Sequence, residues 1–236
     1  MSRGAQRACA LATLVACLAI AIAPHPARAD NQPSFVSQDA FIAAHPDLYW
    51  RREGARNHAR GRYSEAMTAF RRAARYADKP SQAVIAQMLW NGEGVAADRA
   101  MAYVWADLAA ERGYPDFIAT REKFWLALSA EQRERAVAIG GAVFDEFADT
   151  VAKPREERAL RRARQQITGS RTGRPGTISV FQYDHATGNF DMSDGALYYD
   201  ARYWSPELYW QWQDRPWKPD PRGKVEIGPI QASPTP

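Results

Sequence analysis

From residue 47 to residue 151, apolar residues recur three and four positions apart with polar residues between them. That is the spacing of helices that bury one face. The first pattern, Asp47 to Arg60, carries Leu48, Tyr49 and Ala55. After a break at Gly61, Tyr63 to Tyr76 places Ala66, Ala69, Phe70, Ala73 and Ala74 on one stripe. Gln82 to Trp90 shows Ala83, Ala86 and Trp90 on one face, with Ile85, Met88 and Leu89 beside them. Asp98 to Arg112 shows Ala102, Trp105, Ala106 and Ala109. Phe117 to Leu128 and Ser129 to Val151 complete a third pair. The boundaries carry the residues that start and stop helices. Ser81 reads as an N-cap after Lys79-Pro80, Ser129 with Gln132 fits a capping box, and Gly113 suits the left-handed residue that ends a helix.

The second stripe reappears 36 residues later: Ala66, Ala69, Ala73 and Ala74 move onto Ala102, Trp105, Ala109 and Ala110. A lone helical hairpin cannot cover its own apolar face, so a period of this length implies hairpins stacked into an array. The recurring alanines let helix backbones approach where they cross. The glycines at 92 and 94 set the bend between the helices of the middle pair.

The run Ala83–Gly113 resembles a Sel1-like repeat, a relative of the tetratricopeptide repeat. The pattern is L-x-x-G-x-G-V, then D-x-x-x-A-x-x-W, then A-A-x-x-G, and Leu89, Gly92, Gly94, Val95, Asp98, Ala102, Trp105, Ala109, Ala110 and Gly113 fill it. Residues 47–77 and 114–149 are weaker copies. The resemblance implies a mainly α fold, a short α-hairpin solenoid over 47–152. It also implies a role in assembling protein complexes, with no catalytic duty at the signature positions. Some exported relatives staple each repeat with a cysteine pair, and this chain does not.

Beyond the repeats the pattern changes. Residues 153–176 read as a basic helix, with Pro154 in its first turn, followed by a linker rich in Gly, Ser and Thr. Residues 177–217 read as a small β-hairpin with a turn at 186–189, then two short helices, together a small C-terminal α+β appendage. Residues 218–236 hold several prolines and no core pattern, and are expected to be a disordered tail.

The N-terminus is a targeting signal rather than part of the fold. Arg3 and Arg7 precede the apolar run Ala8–Ala23, and Ala27-Arg28-Ala29 is a small-residue cleavage site. Residues 1–29 are therefore expected to be removed, leaving a lead at 30–46 and a periplasmic or secreted protein. A second site competes with it. Leu14-Val15-Ala16-Cys17 resembles a lipobox, and processing there would anchor the chain to a membrane through a lipid on Cys17. Both cysteines, Cys9 and Cys17, lie in this segment, so ordinary cleavage leaves no thiol. The formal charge of +4 also falls to +1, because Arg3, Arg7 and Arg28 leave with no acid. Arginines still cluster at 51–75 and 153–174, either as solvated helix faces or as a surface for an anionic partner such as envelope polysaccharide. Export argues against nucleic acid.

Candidate chemistry is sparse. No metalloprotease, nucleophile-elbow, P-loop or paired-cysteine spacing occurs, and no catalytic residue, metal or cofactor is expected. His185 beside Asp184, with Asp191 and Asp194 nearby, is the one grouping with metal-binding residue types. The aromatic run at the C-terminus is the main lead. Tyr198, Tyr199, Tyr203, Trp204, Tyr209, Trp210, Trp212 and Trp217 fall within twenty residues. Trp204, Tyr209, Trp210 and Trp212 would anchor a protein partner, or stack on sugar rings, if they face solvent, and would seal the end of the array if they do not. The reading is an exported adaptor or scaffold; the alternative is a carbohydrate or peptidoglycan binder that uses these aromatics.

Overall fold

A computed structural model describes residues 34–165, 179–184 and 189–218. Residues 1–33 with Cys17, residues 166–178, His185 and the stretch from 219 lie outside the described residues. Three helical hairpins follow one another: α2 (Pro46–Ala59) with α3 (Tyr63–Ala74), α4 (Lys79–Asn91) with α5 (Arg99–Ala109), and α6 (Pro115–Ala127) with α7 (Ala130–Phe147). They are preceded by a 3₁₀ turn at Ser34–Ser37 and the short α1 (Asp39–Ala43). The first helix of each hairpin opens on a proline in its first turn, Pro46, Pro80 and Pro115. An N–H is not needed there and the fixed φ suits a helix.

The hairpins share one apolar seam, as their periodicity predicts. Ala66, Met67, Phe70 and Ala74 of the first pair pack with Ile85, Met88 and Leu89. Ala102, Trp105, Ala106, Phe124, Val143 and Phe147 continue the same cluster. Helix α5 is its axis and lies against α4, α6 and α7. Two glycines set the closest approaches. A Cβ on Gly54 would lie 2.5 Å from the Phe70 ring, so α2 crosses α3 at Gly54; the neighbouring Ala55, read from the sequence as part of the buried face, is exposed. In the middle loop, Gly92 and Gly94 have φ of +76° and +72°. A Cβ on Gly94 would lie 2.5 Å from Cβ of Tyr63, so this loop rests directly on the start of α3. His58 Nε2 meets Glu93 Oε2 at 3.0 Å beside it.

The caps partly follow the sequence. Ser129 and Gln132 form the expected capping box, Asp98 caps α5 through the Met101 N–H, and Gly113 ends its repeat at φ +73°. Helix α4 starts earlier than its periodicity implies. Asp78, not Ser81, is its N-cap, and the Ser81 N–H is the donor to that carboxylate. The long helix expected to run to Val151 stops at Phe147. Ala148 is extended, and α8 (Asp149–Gln165) begins at once, with Pro154 inside it rather than in its first turn. The break is set by charges from another hairpin: the Glu111 carboxylate takes the Asp149 N–H at 3.0 Å, and Arg112 holds the Asp149 side chain.

The C-terminal region is not a separate appendage. Strands β1 (Ser179–Asp184) and β2 (Asn189–Asp194) pair antiparallel, and β2 runs straight into α9 (Gly195–Tyr198), α10 (Ala201–Trp204) and α11 (Pro206–Asp214). Residues from these three helices join Phe35, Phe41 and Ile42 of the lead, and Ala152 and Leu160 of α8, in a second apolar cluster. The chain thus folds back so that the lead and the C-terminal helices share one core.

Replacing Gly94 by Ala tests the loop contact. It combines a left-handed backbone with a backbone overlap, and we expect it to lower the unfolding free energy by about 2–4 kcal/mol in denaturant titration. Gly141→Ala, on an exposed helix face with open space around the new methyl, should be neutral or stabilising.

Candidate functional site

Two features lie where the C-terminal helices meet the array: a buried polar seam and an open trough. The seam centres on Arg112, at the end of the second hairpin. Its Nε donates to Asp149 Oδ2 at 2.7 Å and its Nη2 to Asp149 Oδ1 at 3.0 Å, a two-point clasp on the start of α8. Nη2 also reaches the Ala77 carbonyl at 2.8 Å, in the turn that ends the first repeat. Nη1 meets Asp214 of α11 at 3.3 Å, and the guanidinium lies 4.9 Å from the ring centre of Trp210. Tyr114 donates its hydroxyl to the same Asp214. Lys79 is fully enclosed beside it, with Nζ at 2.6 Å from Glu111 and 3.1 Å from Asp149. Burial pulls the Lys79 ammonium below its ordinary range, against the opposing pull of Asp149 and Glu111. Burial alone would raise the Asp149 carboxyl, but Arg112, Lys79 and Lys153 outweigh it and hold the group well below the usual carboxylate range.

A second part of the seam surrounds Asp47 at the start of α2. Its Oδ2 accepts from the Tyr209 hydroxyl at 2.6 Å and from Gln213 Nε2 at 3.3 Å. His45, also buried, places Nδ1 at 2.7 Å from the Phe41 carbonyl and Nε2 at 2.9 Å from the Tyr203 carbonyl. Glu156 of α8 is fully enclosed beside Asp47. Burial, then the nearby Asp47, push its carboxyl well above its ordinary range; burial and Asp78 raise Asp47 as well. The neutral form of Glu156 is therefore the comfortable one, and it can donate toward Asp47.

The four aromatics singled out as partner anchors are inside. Tyr209 is fully enclosed, Trp204 is 3% exposed, and Trp210 and Trp212 are each 9% exposed. The Trp204 indole donates to the Tyr198 carbonyl at 2.6 Å, and Trp210 donates to Glu157 at 3.3 Å while Arg112 and Lys153 lie over its ring. Trp212 packs edge-on to Phe41 and Tyr203. These rings seal the array against the lead, and the anchoring role gives way to a structural one. The repeat-defining residues are structural too. Leu89, Ala102, Trp105, Ala109 and Ala110 are buried, Val95 packs on the core, Asp98 is a cap, and Gly92, Gly94 and Gly113 are left-handed. The arginines of 51–75 are largely tied down: Arg51 to Asp78, Arg52 to Asp39, Arg75 to Glu146, and Arg72 over Trp50.

The trough is a cavity of about 360 Å³, open to solvent, between the lead, α2 and the end of α11. Val36, Ile42, Leu48 and Ala55 form one side, and Trp212, Pro216 and Trp217 the other. Its polar lining is Arg51, Arg52 and Gln213. The sequence pattern marked Leu48 as core and gave no signal for a cavity, because the walls come from segments more than 150 residues apart. A second depression of about 300 Å³, on the outer side of α2 and α3, carries Glu53 and Glu65 as well as Arg72 and so presents no single sign of charge.

No family model matches the chain, and no curated protein matches it. Among solved structures the chain is similar to c5321, a protective antigen present in uropathogenic Escherichia coli strains displaying an SLR fold. The identity is 18%, the match covers 58% of this chain and 28% of that one, and the TM-score is 0.41. The chain thus spans little more than a quarter of that protein. The hairpins, their caps and their shared seam define the class on their own geometry: a helical-hairpin repeat array.

The seam yields two opposed predictions. Arg112→Met strands Asp149 and Asp214 without their guanidinium, and we expect a loss of about 3–5 kcal/mol in unfolding free energy. Glu156→Gln should raise stability instead, by about 1–3 kcal/mol at pH 8, because an amide fits an enclosed site that disfavours a carboxylate. A carboxyl raised in the folded state contributes stability below its unfolded value and loses it as pH rises through the folded one. The gain from Glu156→Gln should therefore shrink as pH falls toward about 4, where the unfolded side chain also takes up its proton. Thermal melts of both proteins across pH 4–8 read this directly, and a variant less stable than the parent at pH 8 overturns it.

Proposed function

We propose that the protein is a non-catalytic binding protein, an adaptor or scaffold for protein complexes of the bacterial envelope, and that the trough is its contact surface. The trough carries this reading. It is a concave, largely apolar surface held between rigid helices, with a few polar groups at its edge, which is the form binding sites commonly take. Groups whose ionisation is strongly shifted, Glu156 and Tyr209 upward by burial and Asp149 downward by the cations around it, belong to the seam, where they join α2, α8 and α11. None of them lines the trough.

The carbohydrate alternative has less support. A sugar ring presents hydroxyls around its edge and needs matching polar partners, whereas seven of the ten trough-lining residues are apolar. Trp210, half of the stacking pair that reading relied on, is clasped between Arg112 and Lys153. The envelope location rests on the order of charged, apolar and small residues in 1–29.

Two measurements test the proposal. Intact mass of the exported protein should begin at Asp30; a lipid on Cys17 would replace the free protein with an anchored one. Affinity capture on the full mature chain from envelope extract should recover a stoichiometric protein. Ala55→Trp fills the trough from an exposed helix position, so it should abolish capture while leaving the melting temperature unchanged. Capture that survives Ala55→Trp moves the contact surface elsewhere.

A further inference from the structure

The trough has a sign as well as a shape. Among the described residues its lining includes two guanidiniums, Arg51 and Arg52, and no carboxylate. Arg51 is drawn toward Asp78 at 3.4 Å, across the floor of the seam. Arg52 spends one terminal nitrogen on Asp39 at 2.7 Å. Its Nε–H is enclosed and meets no acceptor among the described residues. A guanidinium offers five donors in a fixed fork and is matched best by a carboxylate. The enclosed Nε–H lies beyond a ligand's reach, so a ligand carboxylate would meet the guanidinium through its terminal nitrogens. Beside this cation lie the aliphatic walls, Ile42 and Leu48 on the lead side, and the indoles of Trp212 and Trp217 opposite.

Resting on the trough as the contact surface, we propose that it takes an extended peptide segment of a partner protein that carries an aliphatic side chain with an acidic residue next to it. The aliphatic group fills the wall between Leu48 and Trp212, and the carboxylate accepts from Arg52. An acyl chain with a carboxylate head shares part of this chemistry. However, an acyl chain gains most from an enclosed tunnel, whereas this trough is open to solvent. A basic segment is repelled by both arginines, and a purely polar acidic one leaves the apolar walls uncovered.

The test uses the full mature chain and fluorescence polarisation of labelled heptapeptides. A peptide alternating leucine and aspartate should bind saturably, and peptides alternating leucine and lysine, or serine and aspartate, should not. Arg52→Gln should weaken the leucine–aspartate peptide at least tenfold, Arg52→Lys should fall between it and the parent, and Ala55→Trp should abolish binding. Thermal melts of the unliganded variants confirm that each is folded. Equal binding of the lysine and aspartate peptides, or no response to Arg52→Gln, overturns the acidic requirement. Sodium laurate that binds while the peptide does not overturns the choice of a peptide. An extract partner that is lost in Ala55→Trp while every peptide is ignored overturns this chemistry and leaves the scaffold intact. No extract partner and no peptide binding overturns both.

Discussion

Arg112 is the joint on which the arrangement depends. Its guanidinium touches the turn that ends the first repeat, the first residue of α8, and the carboxylate that closes α11. These are three segments that no local pattern brings together. A hydrophobic contact could hold any two of them at many angles. A planar fork with fixed donor directions accepts only one arrangement of all three. The charge is affordable inside because Asp149 and Asp214 answer it, just as Glu111 and Asp149 answer Lys79. Buried ion pairs of this kind add little net stability over well-packed apolar groups. What this one supplies is direction: it fixes where α8 departs and where α11 returns.

The rest of the array obeys close-range sterics. Gly54 lets α2 lie on the Phe70 ring, and Gly94 lets the middle loop sit on the backbone of Tyr63. The two repeats end alike: Ala77 takes φ +63° where the next repeat has Gly113 at +73°, 36 positions later. The alanine methyl is buried in the second cluster, which offsets part of its backbone strain. The same turn geometry is thus built twice, with glycine where the residue faces solvent and alanine where a core needs the methyl.

How much of this could be read from the chain follows from the range of the forces involved. Helical periodicity, the capping box at Ser129 and the glycines at 92, 94 and 113 act within a few residues, and the sequence showed them. The start of α4 at Lys79 was missed because Asp78 and Ser81 are both good capping types, and the choice depends on Arg51 approaching from α2. The break at Ala148 was missed because Glu111 and Arg112 impose it from another hairpin. The aromatic run was legible as a cluster but not as an inside or an outside. Its burial is decided by Phe35, Phe41 and His45, far away in a lead too short to announce itself. The prolines at 46, 80 and 115 are a repeat signal that apolar spacing alone does not carry.

The same fold-back explains why the trough lies where it does. Most stacked arrays leave their ends open and present a surface made by consecutive repeats. Here the C-terminal helices spend their large rings on the lead and on α8, so one edge of the array is covered by the chain itself. Covering is incomplete at one place. Beyond Trp212 the chain leaves α11 through Pro216 and Trp217, and the facing stretch of α2 offers only Leu48 and Ala55. The small side chain of Ala55 and the outward step of the proline leave a gap the length of a few residues between two otherwise sealed elements. The gap inherits rigid walls from the core on both sides and a positive edge from the arginines of α2. A surface of that kind arises where the molecule stops binding itself.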